Sequence, residues 1–103
     1  MMDRVFSLLG FAQRSGKIAS GAQGVCAVLR KEQAKCLIIA ADCSQNTLRK
    51  YTAMAARFSV PYYRYGSKLR LGQAIGKAPR SLVAVLDYGF AQAIASELNR
   101  GRV

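Results

Sequence analysis

Two continuous apolar runs, Cys36-Leu37-Ile38-Ile39-Ala40 and Leu82-Val83-Ala84-Val85-Leu86, flank an aromatic one, Val60-Pro61-Tyr62-Tyr63-Arg64-Tyr65. Short apolar runs bounded by turn residues are the pattern of strands covered on both faces. Pro61 places the aromatic strand's start or an edge position there, because proline cannot donate to a ladder. Between these runs the apolar residues recur at helical spacing. Strands alternating with helices need crossover connections, so the sheet is expected to be parallel or mixed with helices on both faces. The expected fold class is α/β, a three-layer α-β-α sandwich with a small mixed sheet, and 103 residues make one domain, residues 1–103.

Val5, Leu8, Leu9 and Ala12 predict a helix over residues 3–14 that stops before Ser15-Gly16. Lys17 to Ser20 reads as a short connector, which an extended backbone would suit. Ser20 is placed to cap a second helix with Ala22, Val25 and Leu29 as its buried stripe and Gln23, Ala27 and Arg30 opposite. Leu48, Tyr51, Thr52 and Ala55 predict a helix over about residues 46–58. Ser67 caps a short helix ending at Gly76, and Phe90, Ile94 and Leu98 mark a closing one.

Sixteen Lys and Arg against five Asp and Glu give a net charge of +11. The cations are spread through folded-looking sequence, and a hydrophobic content of 51% argues against a disordered basic tail. A charge of this size attracts phosphates, so a polyanion surface is expected. The start of the chain carries no convincing signal peptide, and no apolar run is long enough for a membrane span. The expected location is cytoplasmic, with no membrane partner.

Catalytic chemistry has little to draw on. The chain has no His, and its three cysteines lack a CxxC spacing, so no metal site is expected. Cys26, Cys36 and Cys43 read as small core hydrophobes, against the sharper alternative of a reactive thiol. The string from Gly10 to Lys17 superficially resembles a phosphate-binding loop. It has five residues rather than four between the glycines, Ile18 where a hydroxyl is needed, and a helix rather than a strand before it. Asp42 and Asp87 each end an apolar strand, where they are either functional groups or caps for the following helix. No cofactor and no enzymatic activity are expected.

The segment Ser20, Gly21, Ala22, Gln23 and Gly24 has two readings. A helix that opens with small residues lets a nucleic-acid backbone come close, and its unpaired N–H groups favour anions. Equally, it suits an ordinary capped helix whose glycines serve turns. Arg14 and Lys17 lie just before it. Lys77, Ala78, Pro79, Arg80 and Ser81 form a second basic loop. The tyrosines at 51, 62, 63 and 65 either stack on bases or pack the rim.

The strings Leu8-Leu9-Gly10-Phe11-Ala12-Gln13-Arg14-Ser15-Gly16-Lys17, Ile39-Ala40-Ala41-Asp42, Ser44-Gln45-Asn46-Thr47, Leu71-Gly72-Gln73-Ala74-Ile75-Gly76 and Leu86-Asp87-Tyr88-Gly89-Phe90-Ala91 resemble the kink-turn-binding ribosomal-protein family, that of the archaeal large-subunit protein "seven-Ae". The likeness covers about residues 4–95 and is closest to the small free-standing bacterial members. It implies an α-β-α sandwich that binds kink-turns, internal RNA loops whose sheared G·A pairs bend the duplex. It also implies that the helix from Gly21 enters the groove at the kink, Gln23 reads a base edge, and the loop from Lys77 to Ser81 covers unstacked bases. Arg14, Lys17, Lys77 and Arg80 would hold phosphates, and Arg30 one more. Gly24 and Ala27 stand where the family's helix start has a polar residue and a lysine. The expected partner is structured RNA, kink-turn or ribosomal, with a possible place on the ribosome; the protein is expected to be a monomer.

Overall fold

The computed structural model describes residues 3–100; residues 1–2 and 101–103, part of the expected domain span, lie outside the described residues. The elements are α1 (Arg4–Arg14), β1 (Ile18–Ser20), α2 (Gly21–Arg30), β2 (Cys36–Ile39), α3 (Gln45–Arg57), β3 (Tyr62–Arg64), α4 (Lys68–Ala74), β4 (Leu82–Val85) and α5 (Tyr88–Arg100). The strands form one sheet in the order β1-β4-β2-β3. β4 pairs antiparallel with both β1 and β2, and β2 pairs parallel with β3, so the sheet is mixed as expected.

Alternation along the two central strands makes the three layers. Cys36, Ile38, Val83 and Val85 meet Val5 and Leu9 of α1, Leu71 of α4 and Ile94 of α5. Leu37, Ile39, Leu82 and Ala84 turn to the other face and meet Val25 and Leu29 of α2 and Tyr51 and Ala55 of α3. Successive strand side chains point to opposite faces, so a strand covered on both sides must be apolar throughout. Pro61 immediately precedes the edge strand β3, where the sequence placed it, and its carbonyl accepts from Leu37 N–H at 3.0 Å.

Two readings need correction. Lys17–Ser20 is no mere connector: Ile18, Ala19 and Ser20 pair with Val85, Ala84 and Val83 and give the sheet a fourth strand. Because β2 and β4 run antiparallel, Asp42 and Asp87 lie at opposite edges of the sheet. Asp87 does cap the helix that follows it, accepting from Phe90 N–H at 2.9 Å. Asp42 instead accepts from Lys68 N–H at 2.9 Å and so caps α4, across the fold from its own α3.

Candidate nucleic-acid interface

Gly21 joins β1 directly to α2, and its φ of +80° makes the turn between them. A side chain in that region of backbone space is strained, whereas glycine enters it freely. Ser20 therefore sits at the cap position but does not cap: its hydroxyl makes no bond to the helix and instead accepts from Arg80 Nε at 3.3 Å. The other four helices all begin under a side-chain cap: Asp3 accepts from Val5 and Phe6 N–H, Ser44 from Thr47, Ser67 from Arg70, and Asp87 from Phe90. The first turn of α2 thus keeps N–H groups that no side chain satisfies, at the positive end of the helix dipole.

That end opens into a cleft of about 560 Å³ lined by residues 20–24 on one side and by Pro79, Arg80, Ser81 and Leu82 on the other, with Thr47 at the start of α3. The two segments that the sequence singled out separately therefore face each other. No carboxylate lines the cleft. Ala22 and Gln23 are exposed, so Ala22 lies outside the buried stripe expected of it, which Val25 and Leu29 form alone. The Tyr51 hydroxyl donates to Ala22 O at 3.0 Å and ties α3 to this first turn. Burial, with Cys26 adding, pushes the Tyr51 phenol up and nearby Arg30 pulls it down; the net rise keeps it a neutral donor.

The basic loop is held from three sides. Lys77 N–H donates to Gly72 O at 2.8 Å, Arg80 N–H to Lys68 O at 3.0 Å, and Ala40 N–H to Ser81 O at 2.8 Å. Gly72 is needed for this closeness, because a Cβ there would overlap the Ala78 carbonyl oxygen and stand 2.9 Å from that of Lys77. Arg80 also donates through Nη1 to the carbonyls of Ala78 (3.2 Å) and Pro79 (3.3 Å). Its guanidinium clasps the loop to the β1–α2 junction as well as lending charge to the cleft. Lys77 and Ala78 are exposed on the loop but do not line the cleft.

Arg14 and Lys17 are not brought to this site. β1 intervenes, and because Ile18 pairs with Val85 while Ser20 pairs with Val83, Lys17 lies at the far end of the sheet, about 10 Å along the strand from Ser20. Arg14 rests over the Phe11 ring at 4.7 Å and shares the groove between α1 and α4 with Arg70, which rests over Phe6 at 4.6 Å. Arg30 is exposed on the last turn of α2, beyond the cleft. No tyrosine lines the cleft: Tyr51 is buried, Tyr63 and Tyr65 pack against the core with Tyr65 donating to Asp3, and Tyr62 is exposed on the edge strand β3. Thr47 was missed as a cleft residue, although the Ser44-Gln45-Asn46-Thr47 string that carries it was legible.

Among the described residues no group of three or more His, Cys, Asp and Glu could hold a metal, and no helix is long and apolar enough to cross a membrane. Cys36 packs in the core with its thiol pushed up to about 12 by burial, whereas Cys26 and Cys43 are half-buried rim residues.

The sequence profile of the Ribosomal protein L7Ae/L30e/S12e/Gadd45 family matches residues 3–95. The chain belongs to that family. Among its curated relatives, the RNA-binding protein YlxQ of Bacillus subtilis is 40% identical over 94 residues, covering 91% of this chain and 94% of that one. The large ribosomal subunit protein eL30B of Schizosaccharomyces pombe is 36% identical over 99 residues, covering 91% and 82%. A solved structure of a Bacillus halodurans protein of unknown function superposes with a TM-score of 0.91 at 28% identity, covering 95% and 99%. Within this family frame, Gly24 and Ala27 lie on α2 with open space around them. A Cβ at Gly24 would meet only Ala19 Cβ at 3.9 Å, and Ala27 is exposed.

Proposed function

We propose that the protein binds structured RNA without catalysing a reaction, taking a kinked or bulged segment such as a kink-turn into the cleft between α2 and the loop at residues 77–81. One observation carries this reading: among the described residues α2 alone of the five helices lacks a side-chain cap at its start, and its free end faces a carboxylate-free cleft beside Arg80. Free N–H groups donate to phosphate or base oxygens, and the helix dipole favours their negative charge. The deep major groove of A-form RNA excludes side chains, so a protein of this kind recognises distorted loops and ends. Gly21 and Gly24 keep the approach open, Gln23 donates to and accepts from a base edge, and Ser20, Ala22, Pro79, Arg80 and Ser81 form the walls. Lys77 and Arg30 add phosphate contacts at either side. The names of the YlxQ and eL30B relatives support RNA, and a ribosomal setting, as the partner. We take the working form to be a cytoplasmic monomer.

The test is a titration of a labelled kink-turn duplex and a straight duplex of equal length at fixed salt. Tighter binding of the kinked RNA is expected, and a loss of about tenfold for Gln23→Ala, the worth of one base-edge hydrogen bond. Equal affinities refute shape recognition. Gly24 and Ala27 favour one second reading, a ribosome-associated module that binds ribonucleoprotein mainly through general charge, because α2 then presents one polar side chain instead of three. Unchanged affinity in Gln23→Ala together with ribosome co-sedimentation would select it.

A further inference from the structure

The cleft does not end at α2. Ala22 and Gln23 also line a second depression of about 440 Å³ that runs along the exposed flank of α2 against α3. That depression shares Arg30 and Lys50 with a third, of about 400 Å³, bounded by Arg57 and Phe58 at the end of α3. The three make one continuous trough, and no Asp or Glu lines any part of it. Arg30, Lys50 and Arg57 are exposed, and the ion pairs among the described residues involve none of them. Lys50 and Arg57 are seven residues apart, two helical turns, so they share one face of α3 about 10 Å apart. The Lys50 ammonium stands 5.6 Å from the Tyr51 ring centroid and the Arg57 guanidinium 5.5 Å from that of Phe58, which positions both heads on aromatic ground.

We infer that this α2–α3 trough is a track for the sugar-phosphate backbone of an RNA strand leaving the cleft, with Arg30, Lys50 and Arg57 holding phosphates along its length. The inference rests on the reading that the cleft takes RNA, and extends it to a flanking stem and to two further cations, Lys50 and Arg57. Its occupant follows from charge complementarity and from continuity: a row of unpaired cations along a walled path fits a regularly charged polymer. The helix flank from Ala22 to Arg30 rises about 12 Å, room for roughly three nucleotide steps at the axial spacing of one duplex strand.

The experiment compares kink-turn RNA carrying long flanking stems with the same RNA trimmed on either side, against the wild-type chain and Lys50→Gln/Arg57→Gln. Both side chains are exposed, so the double variant keeps the fold. The expected result has three parts. Trimming one stem weakens wild-type binding. The double variant binds the long RNA several-fold more weakly, with a salt slope shallower by about 1.4–1.8, two phosphate contacts. The trimmed RNA no longer distinguishes the two proteins. Arg14→Gln/Arg70→Gln, removing the same charge from the α1–α4 groove across the sheet, keeps the sensitivity to trimming. If the double variant matches wild type in slope and in its response to trimming while the kinked RNA is still preferred, the track is refuted and the cleft stands. If wild type binds no kinked RNA in preference to straight duplex, the cleft reading fails, and this inference with it.

Discussion

Replacing Gly24 by Ala should move stability and RNA affinity in opposite directions. The residue lies in the first half of α2, its φ is not left-handed, and a Cβ built there meets only Ala19 Cβ at 3.9 Å, an ordinary van der Waals contact. The folded state therefore accepts the methyl without strain. Glycine in a helix costs about 0.5–1 kcal/mol relative to alanine, because it loses more backbone freedom on folding. That gain should raise Tm by about 2–8 °C for a chain of this length. Urea melts should show a higher midpoint at unchanged slope. Gly24 also lines the cleft, so the same methyl occupies space that an incoming backbone would use. Overpacking a fitted contact costs about 1–3 kcal/mol, which puts the expected loss of kinked-RNA affinity at about fivefold or more. Circular dichroism melts and fluorescence anisotropy on one preparation measure both quantities. A lowered Tm refutes the packing argument at Ala19. A raised Tm with unchanged affinity refutes close approach at Gly24 and makes the glycine merely an absent side chain.

Gly72→Ala should behave differently: its Cβ collides with the Ala78 carbonyl, so stability falls by about 1–3 kcal/mol and the displaced loop weakens RNA binding, seen as a lower urea midpoint and a raised Kd. Tyr65 donates to the Asp3 carboxylate that caps α1, and burial first, then that bond and the Asp3 charge, push its phenol up to about 12. A raised folded-state value contributes stability that is complete below the ordinary tyrosine value of 10.0 and is lost as pH climbs toward 12. Tyr65→Phe should therefore be less stable than wild type by about 1.5 kcal/mol near neutral pH, with the gap closing between about pH 10 and 12; a gap that stays constant through that window contradicts the assignment.

The central sheet was legible because strands covered on both faces must be apolar throughout, a signal that Cys36–Ile39 and Leu82–Val85 carry at full strength. β1 was not, since Ile18-Ala19-Ser20 shows no period and becomes a strand only by pairing with β4, over sixty residues away in the chain. That omission moved Arg14 and Lys17 into the wrong neighbourhood, because a three-residue strand separates them from Gly21. The mouth of the cleft could be read from its small residues. Ser20 showed a cap residue's chemistry, but Gly21's positive φ and Arg80's guanidinium took its hydroxyl elsewhere. Thr47 and the trough along α3 depend on how two helices pack over one sheet face, which no local pattern encodes.

The distribution of acids gives the +11 charge its direction. Asp3, Asp42 and Asp87 accept backbone N–H groups at the starts of α1, α4 and α5. Glu97 holds Arg4 at 2.9 Å and Arg100 at 3.2 Å, and Glu32, in the turn after α2, lines none of the three depressions. Four of the five carboxylates are thus committed to internal partners, and none of them lines the cleft or the trough. The cations there have no internal acid to neutralise them, and α2 is the one helix whose start no side chain closes. Unneutralised cations and an open helix end on one face make an external polyanion the natural complement to both. A protein that used its charge only for solubility would have no reason to leave that same helix uncapped, and capping it tests the point. Gly21→Asp offers a carboxylate at the junction; even allowing for backbone strain at a φ of +80°, RNA affinity should fall further than the added negative charge alone accounts for, with the salt slope changed by about one phosphate contact.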